Sequence, residues 1–147
     1  MAVAIVQVRA RETRVLEEIL AVFAAAFNNV DTYQKNRPKA AYLRRLLRSE
    51  HFICLATLYG GRVVGGVAAY ELKKFEQVRS EIYIHDPAVD AAYRRKGIAT
   101  AMIEKLKEIA GLRGAYLTFV QADTAPEDMP AIALYSKMGK TRGCSSV

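Results

Sequence analysis

The stretch Asp86-Pro87-Ala88-Val89-Asp90-Ala91-Ala92-Tyr93-Arg94-Arg95-Lys96-Gly97-Ile98-Ala99 organises the reading of the whole chain. On its N-terminal side, 80–86 reads as a strand, with Ile82 and Ile84 alternating with Glu81, Tyr83 and His85. From Gly97 the pattern turns helical, with Ile98, Ala101, Met102, Leu106 and Ile109 on one face, closing near Gly111 or Gly114. Between them lies a basic, glycine-containing turn. Cationic side chains at a helix N-terminus oppose the macrodipole, and stability alone would favour Asp or Glu there. Their presence points to an anionic ligand, because the unpaired N–H groups and positive end of a helix make an anion site. Gly97 lets a phosphate approach the backbone, the small Ala99 keeps the helix start uncrowded, and Arg94, Arg95 and Lys96 supply charge.

Working outward, 3–8 reads as a short β-branched strand. Leu16, Leu20, Phe23 and Phe27, with Val15 and Ile19, form the stripe of an amphipathic helix. A polar, turn-rich segment over 28–37 precedes Pro38, which suits the first position of a second helix buried through Tyr42, Leu43, Leu46 and Leu47. Strands at 52–56 and 63–70 flank Gly60-Gly61, a hairpin signal. A further strand covers 116–120, and Pro130 opens a short helix through Met138, capped by Gly139. The order β-α-α-β-β-β-α-β-α predicts an α+β, three-layer domain: one mixed, mostly antiparallel sheet with flanking helices.

With 147 residues and 52% hydrophobic content, the chain can build one soluble domain with a real core, and 1–147 is read as that single domain. No apolar run approaches a membrane span, and the N-terminus lacks signal-peptide character, so no membrane partner and a cytoplasmic location are expected. Cys54 and Cys144, like His51 and His85, are too isolated for a disulfide framework or a metal site, and no metal is expected. The net charge of +7 favours anionic ligands at long range. The basic residues are dispersed without interleaved aromatics, which argues against nucleic acid.

The run Arg94-Arg95-Lys96-Gly97-Ile98-Ala99 resembles the acetyl-CoA signature of the GNAT acetyltransferases, Q/R-x-x-G-x-G/A. The blocks 74–86, 93–102, 120–123 and 131–139 look like the aminoglycoside 3-N-acetyltransferases within that superfamily, over roughly residues 14–139. The resemblance implies the GNAT fold, with a splay between the fourth strand (80–86) and the fifth (116–120) into which pantetheine inserts. Pro87, lacking an N–H, would break the ladder there and leave the Ala88 and Val89 backbone for the pantetheine amides. Acetyl-CoA, the co-substrate, would then lie across 88–100, with its pyrophosphate on Arg94, Arg95, Lys96, Gly97, Ile98 and Ala99, and Thr100 beside it.

Acyl transfer to an amine requires deprotonation of the amine, stabilisation of the oxyanion and reprotonation of the leaving thiolate. Asp86, at the strand end, is the candidate to bind and deprotonate the ammonium, through water if needed. By resemblance, Tyr135 protonates the thiolate and the Val89 amide donates to the oxyanion. Glu81, Asp86, Asp123, Glu127 and Asp128 would form an acidic pocket for a polycationic aminoglycoside, against the overall positive charge. A polyamine, peptide or lysine amine is the alternative acceptor, and an inactive CoA-binding module the alternative class. Relatives continue after Gly139 into a final strand, whereas 140–147 has poor strand character. The domain is therefore read as lacking that strand, as a frameshift at Lys140-Thr141 would leave it, and a homodimer could cover the open edge.

Overall fold

The computed structural model of the protein describes residues 3–28 and 37–120. Along the chain run β1 (Ala4–Gln7), α1 (Thr13–Ala26), α2 (Ala40–Arg48), β2 (Phe52–Tyr59), β3 (Arg62–Lys73), β4 (Ser80–Ile84), β5 (Ala88–Val89), a 3-10 turn (Ala91–Tyr93), α3 (Ile98–Arg113) and β6 (Leu117–Val120). The sheet order is β1-β2-β3-β4-β6, with β5 pairing β3 beyond the end of β4. All pairings are antiparallel except β4 with β6, the two strands joined through α3. This is the expected mixed, mostly antiparallel sheet.

Strand alternation divides the core into two. Ile53, Leu55, Val67, Ala69, Ile82 and Ile84 point to the α3 face, where Ile98, Met102 and Leu106 meet them. Phe52, Cys54, Ala56 and Ala88 point to the opposite face, under Leu16, Ile19 and Phe23 of α1 and Leu43 of α2. The approach of α1 depends on Gly66, because a Cβ there would lie 2.6 Å from Ile19 Cγ2. Any side chain at Gly66 would therefore force Ile19 to shift.

The strand expected over 80–86 ends earlier and resumes. Ile84 pairs with Ala69 and Ala88 with Gly66, so 85–87 face only 67 and 68 on β3. His85 still donates to the Ala68 carbonyl at 2.8 Å, which places the extra residue at Asp86-Pro87. Pro87 cannot donate to the ladder, and a bulge is where a sheet tolerates it. Pairing of β4 with β6 reaches Ile84 opposite Val120. The counterpart of β5 on that side, and with it the expected opening, lies outside the described residues.

The helices differ from expectation mainly by rotation. In α1 the buried stripe is Leu16, Ile19, Phe23 and Ala24, whereas Phe27 is 36% exposed at the C-cap with its ring edge-on to Phe23. The second helix starts at Ala40 with Lys39 as its N-cap, leaving Pro38 outside it. Three arginines in that helix narrow its buried strip to Leu43, with Leu46 and Leu47 half-buried and Tyr42 51% exposed. In α3, Ile103 and Ala110 join Ile98, Met102 and Leu106 in the core, while Ala101 and Ile109 are half-buried. That helix is capped by Gly114.

Candidate active site

The bulge hands the chain to a short, tightly held connection before α3. Asp90 donates its N–H to the Val64 carbonyl at 2.8 Å, keeping β5 on β3. Its carboxylate accepts from the Ala92 N–H at 3.0 Å and pairs with Arg62 Nη2 at 3.1 Å, clamping the 3-10 turn to the start of β3. Tyr93 packs against Tyr59 with ring centroids 5.7 Å apart. In an antiparallel ladder neighbouring residues present their backbone groups to opposite edges. Asp90 faces β3, so Val89 turns its N–H and C=O away from β3. The outward carbonyl accepts from Arg94 Nε at 3.1 Å.

The basic turn then reverses sharply, with φ of 62° at Arg95 and 79° at Gly97. Among the described residues nothing lies within 4 Å of where a Gly97 Cβ would be. The first bond of α3 runs from the Ala101 N–H to the Gly97 carbonyl at 3.0 Å. The N–H groups of Ile98, Ala99 and Thr100 therefore have no acceptor within the helix. No side chain caps them, and the first turn carries no acid. The positive end of a sixteen-residue helix thus follows directly on three exposed cationic residues, Arg94, Arg95 and Lys96. Arg94 does double duty, since its Nε braces Val89 while its charge stays at the rim. Ile98 offers the site only its backbone, because its side chain is buried in the core. Ala99 is half-buried against that same core and Thr100 is exposed.

Asp86 sits in the bulge, partly buried, immediately before β5. Beside it, the His85 ring stacks on Phe23 of α1, with centroids 5.5 Å apart and planes 10° off parallel. Burial pushes the His85 pKa below its ordinary value, against the opposing pull of the Asp86 carboxylate. Glu81 lies at the other end of β4, with Lys74 Nζ 3.9 Å from its carboxylate. At the usual strand rise the two acids are roughly 16 Å apart. Among the described residues they line one strand and do not form a single cluster. Tyr135, Asp123, Glu127 and Asp128 lie outside the described residues.

Other chemistry is absent among the described residues. No group of three His, Cys, Asp or Glu side chains could hold a metal ion. Burial pushes the Cys54 thiol up to about 12, so it is no nucleophile. No helix is long and apolar enough to cross a membrane. Sequence reasoning passed over Asp90 and Arg62. An Asp opening a two-alanine turn is a recognisable Asx-turn signal. Arg62, distant in sequence, carried none.

The chain belongs to the acetyltransferase (GNAT) family, whose family model matches residues 14–140. A crystal structure of an aminoglycoside acetyltransferase from an uncultured soil metagenomic sample superposes with a TM-score of 0.94 at 60% identity, over 97% of this chain and 93% of that one. A second aminoglycoside acetyltransferase from an uncultured soil sample, crystallised with trehalose, gives a TM-score of 0.84 at 25% identity, over 95% and 91%. An uncharacterized N-acetyltransferase of Methanocaldococcus jannaschii is 30% identical over 131 residues, 84% of this chain. The chain spans 55% of the length of that curated relative. These likenesses bear out the expected family and fold.

Proposed function

We propose that this protein is an acetyl-CoA-dependent N-acetyltransferase that acetylates the 3-amino group of an aminoglycoside, and so confers resistance to that antibiotic. One observation carries the chemistry: the uncapped N-terminus of α3, preceded by three exposed cationic residues, lies just beyond β5, whose Val89 N–H faces away from β3. Identity of 60% to an aminoglycoside acetyltransferase supports the acceptor class.

The residues fit acetyl-CoA as co-substrate. The N–H groups of Ile98, Ala99 and Thr100, with Arg95 and Lys96, would hold the pyrophosphate, while the edge of β5 that Val89 turns away from β3 would run beside the pantetheine arm, and Ala88, paired with Gly66, would fix that edge in place. The Asp86 carboxylate would bind the acceptor ammonium and take its proton, directly or through water. The amine nitrogen then bonds to the acetyl carbon as the carbon–sulfur bond breaks. The Val89 N–H would stabilise the oxygen that gains negative charge, and the Tyr135 hydroxyl would return a proton to the departing sulfur. Glu81, Asp123, Glu127 and Asp128 would counter the remaining positive charge of the acceptor.

A thiol-release assay with acetyl-CoA against aminoglycosides and polyamines tests the reading, with NMR of the product to locate the new amide. Release with polyamines alone would overturn the acceptor class. Acetylation at another amine would overturn the 3-amino assignment only.

A further inference from the structure

The α1–α2 face of the sheet carries a row of rings that the chemistry above does not use. Phe52 lies directly opposite Tyr70, Tyr70 opposite Tyr83, and Tyr83 opposite Phe119, across β2, β3, β4 and β6. Their centroids are 5.3, 6.3 and 5.3 Å apart in turn. Pairing of aromatics in register stabilises a sheet, and for Phe52, buried under the helices, that role is sufficient. It does not account for the other end. Helices α1 and α2 pack over β2, β3 and β5. Tyr70 is left 38% exposed, and Tyr42, turned out of the α2 stripe, is 51% exposed. Burial and the neighbouring phenols, Tyr42 foremost, hold the Tyr70 pKa above its ordinary value, so it stays a neutral ring.

We propose that Tyr70, Tyr83 and Phe119, with Tyr42 at the rim, form the platform on which a ring of an amino-sugar acceptor lies. The inference rests on the aminoglycoside reading and adds a subsite to it. Aromatic faces are electron-rich: they attract ammonium groups and accept the C–H faces of a saccharide ring. Charge complements this, because carboxylates flank Tyr83 along the chain, at Glu81 on β4 beside Lys74 and at Asp86 in the bulge beyond the strand. Tyr83 stands three residues before Asp86, roughly 10 Å at the strand rise. A multi-ring acceptor with one amine at Asp86 spans that distance with another of its rings. A short alkylamine does not, so the platform distinguishes amino sugars from simple amines.

The test uses the full chain with the aminoglycoside sisomicin as probe, reading KM, kcat, acetyl-CoA affinity and calorimetric sisomicin binding. Tyr70→Ala and Tyr42→Ala are expected to raise sisomicin KM and Kd by about tenfold and a few-fold respectively, the size of a lost cation–π contact. Acetyl-CoA affinity and kcat stay near wild type, and Tyr70→Phe, which keeps the ring, stays near wild type throughout. Unchanged sisomicin KM and Kd in the two alanine variants, with wild type active, overturns the platform alone. Loss in Tyr70→Phe equal to that in Tyr70→Ala also overturns it, by assigning the effect to the hydroxyl. Should Tyr70→Ala not fold, Tyr42→Ala on its exposed helix face and Tyr70→Leu decide the matter. Wild type that binds acetyl-CoA yet neither binds nor acetylates sisomicin overturns the parent reading and the platform with it.

Discussion

Replacing Gly97 by Asp separates the stability of the α3 turn from its capacity to bind an anion. Gly97 has a φ of 79°, which costs an L-residue about 1–2 kcal/mol, least for Asn and Asp. Among the described residues no atom lies within 4 Å of its Cβ position, so they add no steric penalty. Gly97 is also the N-cap of a helix with no side-chain cap, where Asp in place of Gly gains only about a few tenths of a kcal/mol. The net cost is about 1 kcal/mol, so the variant should stay folded and melt only about 2–8 °C below wild type. Binding behaves differently. A carboxylate about 4 Å from a phosphate charge repels it by about 4 kcal/mol at the effective dielectric near a protein surface, roughly a thousandfold in affinity. Gly97→Ala carries the same backbone strain without the charge and serves as the control, with at most about a tenfold loss expected. Isothermal calorimetry with CoA reads both variants. Unchanged CoA affinity in folded Gly97→Asp refutes the assignment of the pyrophosphate to this turn.

Asp86→Asn should cut aminoglycoside turnover by about a hundredfold or more, with acetyl-CoA affinity nearly intact, and Tyr135→Phe should lower kcat by about a hundredfold with little change in KM; wild-type rates in steady-state assays would remove either residue from the mechanism. Gly66→Ala drives a methyl to within 2.6 Å of buried Ile19 and should cost about 1–3 kcal/mol, recovered in part by Ile19→Ala; urea unfolding of the double-mutant cycle checks this. For Glu71, burial raises the pKa, but hydrogen bonds from Ser80 Oγ at 2.6 Å and from Arg113 at 2.7 Å bring it below its ordinary value. A lowered pKa means stability that is full above the unfolded carboxyl value near ~4.3 and lost as pH falls through the folded one. Glu71→Gln should therefore cost about 0.5–1 kcal/mol near neutrality, solvent screening having reduced the pair, and flatten the acid limb of the melting-temperature profile. An unaltered acid limb would show that Glu71 does not couple to folding.

What the sequence revealed, and what it withheld, divides along the range of the interactions involved. The basic turn into α3 was legible because its conflict is local: Arg94, Arg95 and Lys96 stand beside the helix start whose dipole they oppose, with Gly97 between. Pro87 likewise announced a break in the ladder, since the missing N–H is a property of the residue itself. Helix faces were legible only to within a rotation, because hydrophobicity marks a stripe and packing chooses its centre. At Phe27 the helix had already ended, and on α2 the three arginines outweighed Tyr42. The ties that need tertiary structure stayed hidden. Arg62 reaches Asp90 across 28 positions and Arg113 reaches Glu71 across 42, and neither separation carries a periodic signal. The aromatic row is the sharpest case. Phe52, Tyr70, Tyr83 and Phe119 are ordinary strand residues one by one, and only the register of three strand pairs aligns them. A slip of one residue in any pair would send the next ring to the α3 face, so the row exists only as a property of the assembled sheet. The proposed phosphate site can thus be written into one turn of chain. The proposed aromatic platform, whose members come from several strands, cannot.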